Sequence, residues 1–393
     1  MYSGDCLVIA LDLNATLGEQ VSVQVVYEAE GVMAMSWLNA NQTSGGQLPY
    51  AYSQCEDVNC RTIVPVQDTP SNKVTYSARV QAMKELSVKM SANETLVQPA
   101  DPDNNEAYFW CEIPIPNYLM AIAVGHLEYR SLGRNVGVIT EPEQMDKCFN
   151  ELTDMQVWLD TIENYLTPYI WGNYTILILP PSFPMGGMEN PLLTFASPTI
   201  IVGDKSQVYV ATHEMAHSWT GNTVTCQNWE DFWLNEGFTV FVERHVSGIL
   251  YGNDFALVEA QLGNTSLWNA MVDYDLLSSY SSIHPVLKGD NPDHSFSEVP
   301  YEKGFQLLWY MQNLLGNETM QEFLQYYINE NFEKSITALD LERTWQNFVG
   351  ENAGKQYVNN VLSKIEWSTW KYLSELPDPS LGIDFFTVEA NES

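Results

Sequence analysis

Basic residues are scarce in this chain. Lys and Arg total 17 against 50 Asp and Glu, which gives a formal charge of −33 over 393 residues. A nucleic-acid backbone would be repelled, and no Lys/Arg cluster offers a local exception, so nucleic acid is excluded as a partner. The excess carboxylates keep the surface solvated, and the same field attracts cations and basic peptides. Long hydrophobic runs are also missing. Stretches such as Leu119 to Val124 fall far short of the ~20 residues a spanning helix needs, so no transmembrane segment is expected. Cysteines number six, at positions 6, 55, 60, 111, 148 and 226. That is too few for a disulfide framework in a chain this long, and paired Cys-x-x-Cys zinc spacing is absent. Free thiols and the lack of a signal-like opening (Met1-Tyr-Ser-Gly-Asp-Cys) point first to the cytoplasm. Seven Asn-x-Ser/Thr sequons, at Asn14, Asn41, Asn93, Asn173, Asn264, Asn317 and Asn391, keep an extracellular location open.

Aromatic residues, by contrast, are plentiful, with 12 Trp, 21 Tyr and 15 Phe. Such a chain has the material for buried cores, is not mainly disordered, and has the length of two or three domains. Residues 1 to about 135 read as mostly β. Leu7–Leu13 and Val21–Tyr27 alternate apolar and polar residues, with a hairpin turn expected over Asn14–Glu19, and Lys73–Val80 alternates in the same way. Near Thr140 the pattern changes. Apolar residues at Met145, Cys148, Phe149, Leu152, Met155, Leu159 and Ile162 predict a helix over Met145–Tyr165. A buried strand is expected at Tyr174–Pro180, and helices dominate from Lys205 onward. The domains are therefore expected at 1–135, a β domain, and 136–375, a mainly helical domain, with 376–393 as a tail or the start of a further domain.

The segment with the clearest chemistry is His213-Glu214-Met215-Ala216-His217. On a helix, positions four apart share a face, so both imidazoles can bind one metal ion. Glu214 is turned about 100° from His213 and can reach a water on that metal rather than the metal itself. Neutral imidazoles suit zinc. An open catalytic site needs a third protein ligand. Glu236, in Trp233-Leu-Asn-Glu-Gly, lies 19 residues beyond His217 on a second expected helix, Trp229–Gly248. An antiparallel helix pair would bring it beside the histidines and leave the fourth position to water. Upstream, Gly186-Gly187-Met188-Glu189-Asn190 reads by itself as a plain turn. Beside a metal site it becomes an edge for a peptide, with Glu189 facing a substrate amine.

These segments carry a family resemblance. Pro180-Pro-Ser-Phe-Pro-Met-Gly-Gly-Met-Glu-Asn-Pro, His213-Glu-Met-Ala-His-Ser-Trp-Thr-Gly-Asn, Phe232-Trp-Leu-Asn-Glu-Gly and Val299-Pro-Tyr-Glu-Lys-Gly together resemble the gluzincin zinc aminopeptidases. The likeness is strongest to the leukotriene A(4) hydrolase and aminopeptidase B branch and runs from about Gln42 to Pro379. It implies an α+β architecture: a β-rich N-terminal domain followed by a mainly helical, thermolysin-like catalytic domain. It also implies one zinc ion per chain, held by His213, His217 and Glu236, and peptide substrates with a free N-terminus. Glu214 matches the general base and Tyr301 the tyrosine that hydrogen-bonds the oxyanion. Glu189 matches the carboxylate for the N-terminal amine. Gly186, Gly187 and Met188 match the substrate-binding edge, and Gln54 a glutamine facing the first substrate side chain. Asp293 matches the aspartate with which the leukotriene branch positions water for epoxide hydrolysis.

The chain also departs from the resemblance. The family's β domain begins before this Met1, so the β domain is expected to be incomplete. The family's C-terminal helical domain would start near residue 376, and no basic groups for a fatty-acid carboxylate can be assigned. Glu56 stands where the leukotriene branch has glutamine, and other gluzincins use a glutamate there on the substrate amine. Phe296 replaces a tyrosine. The first expectation is therefore an aminopeptidase. The alternatives are a leukotriene-type epoxide hydrolase and a non-catalytic fragment with a structural metal.

Overall fold

Short strands come first. In the computed structural model, which describes residues 7–10, 18–29, 33–99, 101–351, 365 and 367, they are β1 (Met35–Leu38), β2 (Tyr50–Ser53), β3 (Lys73–Met83), β4 (Ser87–Met90), β5 (Asn93–Val97), β6 (Asn104–Pro116), β7 (Ile122–Gly125) and β8 (Glu128–Ser131). An antiparallel sheet runs in the order β1-β2-β7-β4, and a second in the order β3-β6-β5. The strand expected at Lys73 is present, and its side chains alternate in exposure as a half-buried strand requires. β2 is buried at every residue and ends immediately before Gln54.

The strands expected over Leu7–Leu13 and Val21–Tyr27 do not form among the described residues. Residues 7–10 and 18–29 belong to no strand, and Val8 is 82% and Val26 91% exposed. Residues 11–13 lie outside the described set, as does most of the expected turn. Alternation becomes a strand only when a neighbouring strand takes its backbone hydrogen bonds. No ladder with a described strand forms here.

A five-stranded sheet follows, adding β9 (Val136–Thr140), β10 (Tyr174–Ile178), β11 (Gly187–Met188) and β12 (Thr194–Ala196) in the order β11-β12-β10-β9-β8. β9 and β12 run parallel to β10, whereas the two edge strands are antiparallel. This sheet takes β8 from before residue 136. A parallel neighbour requires a crossover. Here it is α1 (Met145–Glu151) and α2 (Met155–Tyr165), so the single helix expected over Met145–Tyr165 is broken. Thr153 Oγ1 donates to the Asn150 carbonyl at the break, and such a local bond competes with continued helix. The apolar stripe survives the break: Met145, Cys148, Leu152, Met155, Leu159 and Ile162 are all buried.

Helices then dominate: α3 (Tyr209–Ala216), α4 (Trp233–Tyr251), α5 (Asn253–Tyr274), α6 (Gly304–Leu315), α7 (Asn317–Glu330) and α8 (Ala338–Glu351), with one parallel pair, β13 (Thr225–Cys226) and β14 (Ser335–Ile336). A β-rich first part precedes a mainly helical second part, as expected, and residues 376–393 lie outside the described set. α4 is buried almost all round, which marks it as the central helix of this half. It starts at Trp233 rather than Trp229, because Trp229–Asp231 form a 3-10 turn.

Lys73 ties the halves together. Its Nζ donates to the carbonyls of Asn222 and Thr223, both at 2.9 Å. Another buried contact has a pH signature. His245 on α4 stacks on the Tyr165 ring, with centroids 3.8 Å apart, and burial pushes its pKa down to about 4. The unfolded value is about 6.5. Between these values the unfolded chain binds the extra proton, so the stabilisation is complete above about pH 6.5 and drains away as pH falls toward 4. His245→Phe is expected to gain on wild type by about 1–2 kcal/mol between pH 7 and pH 5 in urea titrations. A gap that stays constant across that range would refute neutral burial.

Candidate metal centre

His213 lies in the last turn of α3, His217 at its C-cap, and Glu236 in the first turn of α4. The helices pack antiparallel. His213 Nδ1 meets Glu243 Oε2 at 2.9 Å, while four residues on His217 Nδ1 meets Thr239 Oγ1, four residues back, at 3.0 Å. This register sets the Glu236 carboxylate between the imidazoles. Its Oε2 is 3.3 Å from each Nε2, and the two Nε2 atoms are 3.1 Å apart.

These separations test the donor set. Tetrahedral zinc with ligands at about 2.0–2.1 Å has ligand atoms about 3.3 Å apart, so the trio fits that ion. The second contacts agree. His217 Nδ1 lies 2.9 Å from the Thr220 carbonyl, which can only accept, so Nδ1 carries the proton and Nε2 is free as a ligand. Glu243 plays the same part for His213. The field at the centre favours a cation. Burial works to lower both histidines, yet hydrogen bonds to Glu236 and Glu243 raise His213 well above its usual pKa. The charges of Glu236 and Glu189 carry His217 to about 9. Burial raises Glu236, but the histidines hold it at about 2.

Glu214, Glu189 and His217 form a second convergent group, with one ligand atom from each within 4.8 Å of the others. Burial pushes Glu214 up to about 8 against the downward pull of His213 and His217. Its carboxylate lies against the backbone of β11, where a Cβ on Gly187 would overlap it. Gly187 is therefore required for close approach rather than for a turn. Gly187 and Met188 make up β11, the outer strand of its sheet, Gly186 just before it accepts from the Ser197 N–H at 2.9 Å, and Met188 Sδ accepts from Gln54 Nε2 at 3.2 Å. Asn222 Nδ2 holds the Glu189 carbonyl at 2.8 Å.

Glu56 reaches the same place from the β half. Burial and then Glu189 and Glu236 raise its pKa well above the carboxylate range. Glu56 Oε1 and Glu189 Oε1 are both buried without a hydrogen-bond partner. Tyr301 lies in a π-helical turn, Val299–Lys303, with its ring stacked on His213 at 6.1 Å and 26°. Phe232 and Phe296 hold it edge-on. Asp293 is exposed, at the mouth of a cavity of about 200 Å³ that Glu56 also lines.

Sequence reasoning passed over four residues. Glu243 is two helical turns beyond Glu236 on the same helix face, and that spacing was a usable signal. Arg244 and Glu302 form a buried bidentate ion pair at 2.6 and 2.8 Å, which fastens α4 to the turn bearing Tyr301. A side chain at Gly263 would collide with the pair. Asp57, beside Glu56, lines the same cavity. Nothing local in the sequence marks these three.

Fold and site together define a two-helix scaffold carrying a two-histidine, one-glutamate donor set for a metal ion. The chain belongs to peptidase family M1. The Peptidase family M1 domain matches residues 150–370 and the Peptidase M1 N-terminal domain residues 1–119. Leukotriene A-4 hydrolase of Xenopus laevis is 40% identical over 96% of this chain and 61% of its own length. Leucine aminopeptidase 2 of Emericella nidulans is 37% identical over 95% and 60%. The chain thus spans about three-fifths of the length of these curated relatives. Among solved structures, yeast LTA4 hydrolase in complex with Bestatin superposes with a TM-score of 0.81 at 36% identity, over 88% of this chain and 53% of that one. An M1 zinc metallopeptidase of Deinococcus radiodurans, 22% identical over 84% of this chain and 71% of that one, shares the fold with a TM-score of 0.64. No helix among the described residues is long and apolar enough to cross a membrane.

Glu243→Gln should lower zinc affinity about tenfold to a hundredfold, as expected when a ligand-orienting partner is removed. Competition against a chromogenic chelator measures this. Unchanged affinity would show that Glu243 does not set the His213 tautomer.

Proposed function

We propose that this chain is a zinc aminopeptidase that removes one residue from the free N-terminus of a peptide. The observation that carries the reading is Glu189. It is buried to 4% exposure, has an unpartnered Oε1, and shares one convergent group with Glu214 and His217. A carboxylate kept dry without a partner favours a cationic ligand group. At this distance from the metal site, a substrate α-ammonium would put the first peptide carbonyl next to His213, His217 and Glu236.

Each step follows from this chain's own residues. Zinc, when held by His213, His217 and Glu236, supplies Lewis acidity that polarises the carbonyl and acidifies water. Glu189 and Glu56 clamp the ammonium, and this fixes the register at one residue. Glu214 takes a proton from the attacking water and gives it to the leaving amine. Burial, which raises its pKa, suits it to both tasks. The Tyr301 hydroxyl donates to the developing oxyanion. Gly186, Gly187 and Met188 offer backbone along the outer edge of the sheet for an extended peptide, and Gln54 faces the first side chain. The five described free cysteines, all buried, support a reducing, cytoplasmic setting. Asp293 at the cavity mouth favours a second reading, an added epoxide-hydrolase activity, which a lipid-epoxide assay beside a peptide assay would separate.

Zinc-loaded protein is expected to cleave aminoacyl amides and to leave their N-acetylated counterparts intact. Glu214→Gln should lose roughly 10³-fold or more in kcat with zinc still bound, and Tyr301→Phe about 10²- to 10³-fold. Cleavage of acetylated and free substrates at equal rates would end the aminopeptidase reading. Full activity in Glu214→Gln would remove that residue from the role of base.

A further inference from the structure

Glu302 follows Tyr301 in the π-helical turn and serves the opposite side. Tyr301 stacks on His213, whereas both carboxylate oxygens of Glu302 accept from Arg244, from Nη1 at 2.8 Å and from Nη2 at 2.6 Å. Each residue is 6% exposed. The guanidinium carbon lies 4.3 Å from the centre of the Phe305 ring, and Arg244 Nε is buried with no hydrogen-bond partner. The two bonds to Glu302 therefore orient the group. A pair buried this deeply adds little net stability, because removing both charges from water offsets their attraction. What it adds is direction: two parallel charge-assisted bonds fix distance and angle together. The turn is also held at Gly304, whose backbone sits so close to Gly237 that a Cβ on either would overlap the other. Both anchors, Arg244 and Gly237, belong to α4, the helix that carries Glu236 and Glu243.

We propose that Arg244 is a positioning residue for the reaction: acting through Glu302, it sets where the Tyr301 hydroxyl stands relative to the oxyanion. The inference rests on the aminopeptidase reading, which gives that hydroxyl its role. A donor serves an oxyanion only within about 2.7–3.1 Å, and a misplacement of about 1 Å costs about 10²-fold in rate. Ring contacts with Phe232, Phe296 and His213 pack Tyr301 but do not fix it to that tolerance. The π turn is itself an uncommon geometry, found mostly at functional sites, and the bidentate bond to its fourth residue keeps it in one form. Glu243 and Arg244 are adjacent on α4 and turn about 100° apart, one toward His213 and the other toward Glu302. Metal ligands and oxyanion donor are thereby referred to a single helix.

The test measures kcat and KM per bound zinc on an aminoacyl amide. Glu302→Gln keeps the shape of the side chain and removes its charge. It is expected to lower kcat about 10- to 100-fold with KM within about threefold of wild type, the pattern of an interaction made only in the transition state. In a Tyr301→Phe background the same substitution should change kcat by less than about twofold, because the hydroxyl being positioned is gone. Breaking one side of a buried pair can unfold the chain, so a second variant replaces both partners, Arg244→Met with Glu302→Leu. It is expected to melt close to wild type yet to keep the kcat defect. An equal loss of kcat in the two backgrounds, or wild-type turnover in the apolar double variant, would overturn the proposal and leave the pair a structural fastening. Failure of both variants to fold and hold zinc would overturn it in the same way. If wild type cleaves no amide, the aminopeptidase reading fails instead, and hydrogen exchange decides for the pair. Amides 299–303 exchanging about tenfold or more faster in the variants, with α3 and α4 unchanged, support the positioning of the turn, and unchanged protection refutes it.

Discussion

Two imidazoles and a carboxylate reach contact with a single point only if two helices cross in one register. That register, with His213 against Glu243 and His217 against Thr239, underlies everything else at the centre. A shift of one residue along α4 would turn Glu236 by about 100° and separate the donor atoms. The helices are held in place by burial, since α4 is enclosed on nearly every face. Their relation is therefore set by packing against the whole helical half, and the donor atoms inherit a precision they could not supply themselves.

A concentration of acid accompanies this geometry. Glu56, Glu189, Glu214 and Glu236 act on one another through a nearly dry interior, and burial raises the first three. Such a cluster is unfavourable as it stands. Under the proposed function a zinc ion on one side and a substrate ammonium on the other would offset it. The pair Arg244–Glu302 is of another kind. It is complete within the protein, fits only because residue 263 is glycine, and connects the helix of Glu236 to the turn of Tyr301. That turn also sets the Tyr301 ring on His213.

Much of the centre was legible because its chemistry is local in sequence. His213, Glu214 and His217 declare themselves by helical spacing, and Glu236 by the following helix. The split between a β-rich first part and a helical second part was legible from periodicity. What periodicity could not supply was pairing. Leu7–Leu13 and Val21–Tyr27 alternate as strands do, but alternation specifies a face and not a neighbour. The break between α1 and α2 was hidden because the apolar stripe runs through it. Arg244, Glu302 and Asp57 were invisible for a third reason. Their surroundings come from residues far apart in the chain, and such neighbours leave no local pattern.

Lys73 gives the two halves a shared fate. Its ammonium reaches from the β ribbon to the loop after the second histidine, and Asn222 of that loop holds the Glu189 backbone. These polar contacts join two parts of the chain that also share one continuous apolar core. A substitution at that seam could detune turnover while leaving every reacting group intact. The surroundings of the metal centre are thereby tied to a strand that contributes no ligand atom to it.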